Sequence, residues 1–246
     1  MSSRTFAVLG AGKVGSALAR SLQRVGSVHV YSRTRRASLD AVLRKLPPRA
    51  LAFLCIPEAA IASVAPVLTA HPHRYVSVSG SATPDFFRGV GLEDVDTFHP
   101  LMGFSADGPK DFTGVPVGVS GAGLAALAKR IGAVPFALPA DRTLYHAAAV
   151  LGGAGVLTAW SAALAMLVEA GVKAKHAPGV LLPIALQALT VAAKRGPRAA
   201  LTGPVVRKDE QTIARHREAI AQRLPAHEAI YDALLAEMRR LHEGRG

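Results

Sequence analysis

Thr5-Phe6-Ala7-Val8-Leu9-Gly10-Ala11-Gly12-Lys13-Val14-Gly15 is the stretch whose reading decides the fold. Five apolar or β-branched residues outline a buried strand, and the glycines that follow have the spacing G-x-G-x-x-G. Ser16 to Val25 then reads as a helix that stops at Gly26. Strand, glycine turn and helix together form a nucleotide site. Gly10 permits a tight turn, Gly12 lets backbone approach a pyrophosphate, and Gly15 lets helix and strand pack closely. The helix N-terminus adds unpaired N–H groups that suit phosphate. Gly10, Ala11, Gly12, Lys13, Val14 and Gly15 are therefore candidate cofactor contacts. The competing reading is a glycine-rich turn in an α/β protein without a bound nucleotide.

The elements outward from this turn alternate. Strands are expected at Val28–Tyr31, Ala50–Ile56, Tyr75–Val78, Val95–Phe98 and Val115–Val119, with an edge strand at Val134–Ala137. Helices are expected at Ala37–Leu46, Ala59–Leu68 and Gly123–Ile131. Such alternation predicts a doubly wound, mainly parallel sheet with helices on both faces. From Asp141 onward the strand pattern is gone. Helices are expected over Asp141–Val168, Ala177–Lys194, Asp209–Arg223 and Ala226–Leu241, the last with Ile230, Leu234, Leu235, Met238 and Leu241 on one stripe. The fold class is thus an N-terminal Rossmann α/β domain, residues 1–140, and a C-terminal all-α domain, residues 141–246.

Composition narrows the function. The chain has 246 residues, half of them hydrophobic and 19% charged, enough for a real core. The net charge of +12 is spread as +7 over residues 1–140 and +5 over 141–246. No long basic run or aromatic interleaving accompanies it. A basic surface that attracts small anions fits better than nucleic-acid binding. Cys55 is the single cysteine, so no internal disulfide can form, which fits a cytoplasmic protein. It lies in an apolar run and reads as core filler. Ala147–Val168 holds 22 residues without a charge, long enough to span a bilayer. Its Ala and Gly content and its polar Tyr145-His146 start favour a core or dimer-interface helix, so no membrane contact is expected.

The segment after the second strand identifies the expected cofactor. An NAD site usually places a carboxylate there to accept from the ribose 2′-hydroxyl. Here Tyr31-Ser32-Arg33-Thr34-Arg35-Arg36 contains no acid. Ser32, Arg33 and Arg36 are suited to a 2′-phosphate, which points to NADP(H). A solvated basic loop is the alternative.

Candidate chemistry lies at the strand ends. Ser79-Gly80-Ser81 closes the fourth strand, and His99 follows the fifth, before Pro100. Reduction of C=O or C=N needs a donor to the developing anion or amine, and histidine serves near neutral pH. His99, Ser81, His146 and Lys208 are the candidate catalytic residues. Ser79, Gly80 and Arg207 are candidates for binding substrate in a cleft between the domains. Asp209 reads as the cap of the helix after it. No metal-ligand cluster is present in the sequence, so no metal is expected.

These segments carry a resemblance along nearly the whole chain: GAGKVG at 10–15, CIP at 55–57, SGS at 79–81, TFHPLMGF at 97–104, YHAAAV at 145–150 and LTGPVVRKDE at 201–210. The chain resembles Rossmann-like NADP-dependent oxidoreductases whose C-terminal helical domain is of unknown function. These are relatives of ketopantoate reductase, pyrroline-5-carboxylate reductase and 6-phosphogluconate dehydrogenase. The resemblance implies NADP(H), a small-molecule substrate and helix-mediated homodimers, with a ketopantoate-like 2-oxo acid as one candidate substrate. Ile56 and Pro57 join the expected cofactor contacts. HPLMG also resembles the HPM-G segment of prephenate dehydrogenases, where the histidine assists hydride transfer. Two positions depart from the family pattern. Gly152-Gly153-Ala154 stand where Ser-Asn is common, and Arg207-Lys208-Asp209 where Arg-Gly-Asp is common. The expected activity is hydride transfer to or from a small anionic carbonyl or imine compound. A non-catalytic dinucleotide-binding redox sensor or assembly protein is the alternative.

Overall fold

The computed structural model describes residues 4–34 and 37–244. Contacts divide the chain into two compact units, Met1–Val150 and Leu151–Gly246.

The first unit is built on a seven-stranded sheet. Its strands are β1 (Arg4–Leu9), β2 (Gly26–Tyr31), β3 (Leu51–Leu54), β4 (Arg74–Ser77), β5 (Asp96–Pro100), β6 (Pro116–Ser120) and β7 (Val134–Ala137). The spatial order is β2-β1-β3-β4-β5-β6-β7. The first five strands are parallel, β6 runs antiparallel to β5, and β7 is parallel to β6. Because β2 and β3 flank β1 on opposite sides, the chain switches direction of growth between β1 and β3. The crevice beyond the carboxyl ends of those two strands is where such sheets bind ligands.

β1 shows why the sheet is covered on both faces. Phe6 and Val8 enter one core with Leu18, Leu22, Phe53 and Phe98. Ala7 and Leu9 enter the other with Leu43, Leu54, Ile61 and Leu68. The period of two sends alternate side chains to opposite faces, and both faces here are apolar. Helix α1 (Lys13–Leu22) covers the first face, while α2 (Leu39–Leu43) and α3 (Glu58–Thr69) cover the second. Helix α4 (Pro84–Gly89), which periodicity did not reveal, starts at a Thr83 cap whose hydroxyl accepts from the Phe86 amide. Helix α5 (Leu124–Arg130) and α6 (Arg142–Val150) complete the unit.

The second unit is helical among the described residues. It contains α7 (Val156–Glu169), α8 (Ala177–Arg195), α9 (Pro197–Ala200), α10 (Glu210–Arg223) and α11 (Glu228–Glu243). The single helix expected over Asp141–Val168 is interrupted. Leu151–Gly155 winds as a π-helix between α6 and α7. Gly152, Gly153 and Gly155 weaken regular α winding there. The core of this unit is small: Val205, Ile213 and Leu235 are buried, with Tyr231 and Met238 against them. Ion pairs Arg217–Asp232 and Arg239–Glu210 also join α10 to α11. By length and composition, Arg142–Glu169 and Ala177–Arg195 could cross a membrane, yet only 6% of each apolar window is buried within the chain. Leu157, Val180, Ile184, Leu186 and Leu189 are all exposed.

Phe98 is fully buried, with its ring centroid 5.6 Å from Phe53 and 6.0 Å from Phe112. Phe98→Ala should lower stability by about 3–5 kcal/mol, because a large aromatic at the sheet centre leaves a cavity that packing cannot close. Urea unfolding should show the midpoint falling while the slope is retained.

Candidate functional site

Three close approaches set the nucleotide turn. Gly10 has φ of 122°, and an added Cβ there would lie 2.2 Å from the Cys55 carbonyl oxygen. A Cβ on Gly15 would lie 1.9 Å from the Gly10 carbonyl oxygen. The Gly10 amide is fixed by donating to the Tyr31 carbonyl at 2.9 Å. These two glycines are therefore demanded by the protein's own packing. Gly12 differs. Its φ of −68° suits any residue, and an added Cβ would meet no atom within 4 Å. It stands at the N-terminus of α1 with no side chain capping the helix. Ala11, Gly12, Lys13 and Ser16 line a groove of about 430 Å³ with Arg20 and Lys110.

The neighbouring strand ends complete this edge. Ile56 lies against the turn, with its Cγ2 3.1 Å from the Cβ position of Gly10. Pro57 precedes α3 as its capping residue. Cys55 packs against the first core, and burial pushes its thiol up to about 12, so it serves as filler rather than nucleophile. Ser32 and Arg33 follow β2. The Ser32 and Thr34 hydroxyls are 2.8 Å apart, and Arg33 is exposed. Asp40, the next acid along the chain, is engaged by Arg44 at 2.7 Å and His71 at 2.9 Å. Arg36 lies outside the described residues.

A second cluster forms at the ends of β4 and β5. His99 is the fourth residue of β5, paired with Gly118 of β6, rather than the first residue after a strand. Its ring lies on Gly80: a Cβ there would come within 2.7–2.9 Å of three ring atoms. Its Nδ1 is 2.6 Å from the Tyr145 hydroxyl, and the His146 ring centroid is 6.5 Å away. Burial lowers His99 to about 4, with the charges of His146 and Arg142 acting in the same direction. Burial raises Tyr145, partly offset by Arg142. At neutral pH the imidazole is uncharged and the phenol protonated. Their contact uses one hydrogen and leaves one to donate elsewhere. That donor is Nε2–H if Tyr145 donates to the ring, or the phenol O–H if the ring donates to Tyr145.

Arg142 and Glu58 complete the cluster, and neither stood out in the sequence. Arg142 is 9% exposed and donates to Thr97 Oγ1 at 3.3 Å and Ser120 Oγ at 3.5 Å. Among the described residues no carboxylate pairs with it. Glu58 opens α3. Its Oε1 accepts from the Ser79 hydroxyl and from the Ser81 hydroxyl at 2.5 Å. The structure thus brings together His99, His146, Ser79, Gly80 and Ser81, and adds Tyr145, Arg142 and Glu58. Tyr145 opens the YHAAAV segment of the family resemblance, whereas Arg142 carries no motif. Arg207 and Lys208 belong to the second unit, in the turn before α10, where Lys208 takes φ of 55°. Asp209 caps α10 by accepting from the Thr212 amide at 3.0 Å. Among the described residues no group of acidic, histidine and cysteine side chains has metal-binding geometry.

Comparisons with known proteins bear on the fold. Residues 119–238 match a family model described as a domain of unknown function, DUF2520. No curated protein matches the sequence. A provisionally assigned NADP oxidoreductase from Bacteroides fragilis matches 97% of this chain and 98% of its own, at 22% identity and a TM-score of 0.74. Imine reductase from Aspergillus terreus, solved with NADPH4 and a dibenzazepine, matches 100% and 96% at 18% identity and a TM-score of 0.60. Pyrroline carboxylate reductase from Plasmodium falciparum, solved with NADP, matches 98% of each chain at 12% identity and a TM-score of 0.58. The fold is that of the Rossmann-type NADP oxidoreductases.

The His99 environment has a direct consequence in pH. The unfolded chain takes up a proton near pH 6.5 that the folded protein accepts only near pH 4. The His99 contribution to stability is therefore lost progressively as pH falls from 6.5 through 4. NMR titration of the histidine ring protons should give His99 a midpoint near pH 4. A midpoint near 6.5 would contradict the buried geometry.

Proposed function

We propose that this chain is an NADP(H)-dependent oxidoreductase acting on a small anionic carbonyl or imine compound. Gly12 carries the proposal. The other two glycines of the turn are required by packing, whereas no protein atom lies near the Cβ position of Gly12. Its lack of a side chain is explained by a ligand that approaches the backbone there. The groove beside it is basic through Lys13, Arg20 and Lys110, and the uncapped start of α1 presents N–H groups. This donor set suits a pyrophosphate.

Gly10 to Gly15 would hold the pyrophosphate, with Ile56 and Pro57 at its edge. Ser32 and the exposed Arg33 would bind the 2′-phosphate, where a carboxylate would repel it. When bound, the cofactor supplies a hydride donor or acceptor. The protein supplies a hydrogen-bonding site beside it. His99, uncharged and tied to Tyr145, keeps one hydrogen, on its ring or on its partner's hydroxyl, that would bond to a substrate oxygen. Gly80 has no side chain, so the imidazole can lie directly against its backbone. Burial, aided by the charges of His146 and Arg142, holds His99 in the neutral, hydrogen-bonding form.

We further propose that the exposed apolar faces of α7 and α8 pack on a second copy of the chain. Leu157, Ile184, Leu186 and Leu189 are more than half exposed, an arrangement that favours burial against a partner. Pro183 and Gln187 within α8 fit a protein interface better than a lipid one. Analytical ultracentrifugation without detergent should give a dimer mass. Ile184→Glu should yield monomer with helical content preserved.

The cofactor reading separates two glycine variants. Gly12→Ala should fold with an unchanged melting temperature yet lose NADPH affinity by about tenfold or more, in line with the loss of a close charged contact. Gly15→Ala should lose stability itself. Fluorescence titration and thermal melts read the two effects. Arg33→Ala should reduce the preference for NADPH over NADH by about ten- to a hundredfold, the range expected for a charge-assisted hydrogen bond. Unchanged preference would remove the 2′-phosphate role. Tight NADPH binding without oxidation across 2-oxo acids and cyclic imines would favour a sensor over an enzyme.

A further inference from the structure

The oxygen atoms beside His99 are short of hydrogens. Glu58 Oε1, Ser79 Oγ and Ser81 Oγ lie within hydrogen-bond distance of one another, the two serine oxygens 3.1 Å apart. Only two hydroxyl hydrogens serve these three oxygens, and both are directed into the cluster. Ser79 Oγ has further donors, the amides of Ser81 and Ala82, each at 3.2 Å. With both hydroxyl hydrogens directed to Glu58, Ser81 Oγ otherwise faces, among the described residues, only the oxygen of Ser79 and keeps lone pairs free to accept. Among the described residues no arginine or lysine pairs with Glu58, which is half-buried. The cluster therefore presents acceptors backed by an uncompensated carboxylate. Gly80 stands between the two serines and carries the His99 ring on its Cα, so the cluster borders the histidine directly.

This chemistry discriminates between the two substrate classes that the reductase reading leaves open. A carbonyl oxygen has no hydrogen to offer, and the alkoxide it becomes would be repelled by Glu58. A protonated imine carries both a positive charge and an N–H. We infer that the substrate is an imine, bound as its iminium with N–H directed to Ser81 Oγ and its charge balanced by Glu58. The inference rests on the oxidoreductase reading above. The two-electron balance is simple: hydride from a reduced nicotinamide adds to the iminium carbon, the C=N π pair becomes the nitrogen lone pair, and a secondary amine results. No further proton is required, which is consistent with a histidine that stays neutral.

The test compares ligands that differ only at the reacting nitrogen. Piperidine-2-carboxylate and its oxygen isostere tetrahydropyran-2-carboxylate are titrated into the full-length protein by calorimetry, alone and with NADP+ present. The amine should bind at least tenfold more tightly. Glu58→Gln and Ser81→Ala should each abolish most of that preference while leaving NADPH affinity within twofold. Should Glu58→Gln fail to fold, Ser81→Ala and the wild-type preference decide the matter. Equal affinities, tighter binding of the oxygen compound, no binding of either, or a preference unmoved in the variants would each overturn the inference. Failure of the oxidoreductase reading is distinguishable, because it appears as absence of NADPH binding in the wild type.

Discussion

The approach of Gly15 to the Gly10 carbonyl is the contact on which the first unit depends. Only 1.9 Å separates that oxygen from where a Cβ on Gly15 would stand. Because nothing larger than hydrogen fits, α1 starts directly over the end of β1. From there Leu18 and Leu22 reach the core shared with Phe6, Phe53 and Phe98. Gly10 makes a similar approach to Cys55 at the end of β3. The turn is thus wedged at the sheet's switch point, and the direction of α1 is fixed by backbone sterics rather than by a cap. An uncapped N-terminus aimed over the crevice is the result.

Fixing the helix there gives the site an electrostatic division. Around the turn, Lys13, Arg20 and Lys110 make a basic groove. At the ends of β4 and β5 the surroundings differ. There Glu58 gathers two serine hydroxyls, and buried Arg142 holds only neutral oxygens of Thr97 and Ser120. Removing water from His99 disfavours its charged form, and the nearby positive charges add to this effect. Desolvation also favours the protonated form of Tyr145. The pair is left as a neutral hydrogen-bonding unit between a fixed cation and a fixed anion.

The sequence makes the nucleotide half of this arrangement legible because its determinants are local. A strand, a glycine spacing and a helix start need only neighbouring residues, and β1, β3 and α1 follow from them directly. Ser79-Gly80-Ser81 and His99 were readable for the same reason, as polar residues at strand ends. The partners that give those residues their character come from far along the chain. Tyr145 meets His99 across 46 positions and Ser81 meets Glu58 across 23. No periodicity encodes such pairings; they arise only when β3, β4 and β5 are set side by side. The π-helical segment Leu151–Gly155 was unreadable for another reason. Its apolar residues fit the pattern of a longer helix, and a change of winding leaves hydropathy untouched.

The helical unit raises a separate constraint. Its buried core consists of little more than Val205, Ile213 and Leu235, while Ile184, Leu186 and Leu189 face outward on α8. Burial of apolar surface contributes roughly 25 cal/mol per Å², so this core, with Ile220, Ala162 and Ala177 also buried, gives limited stabilisation against the entropy of ordering five helices. Surface ion pairs such as Arg239–Glu210 add little. The proposed dimer would stabilise such a unit by covering the exposed apolar side chains of α7 and α8. Dimer formation would then be linked to folding of this part of the chain, and its apparent stability would rise with protein concentration.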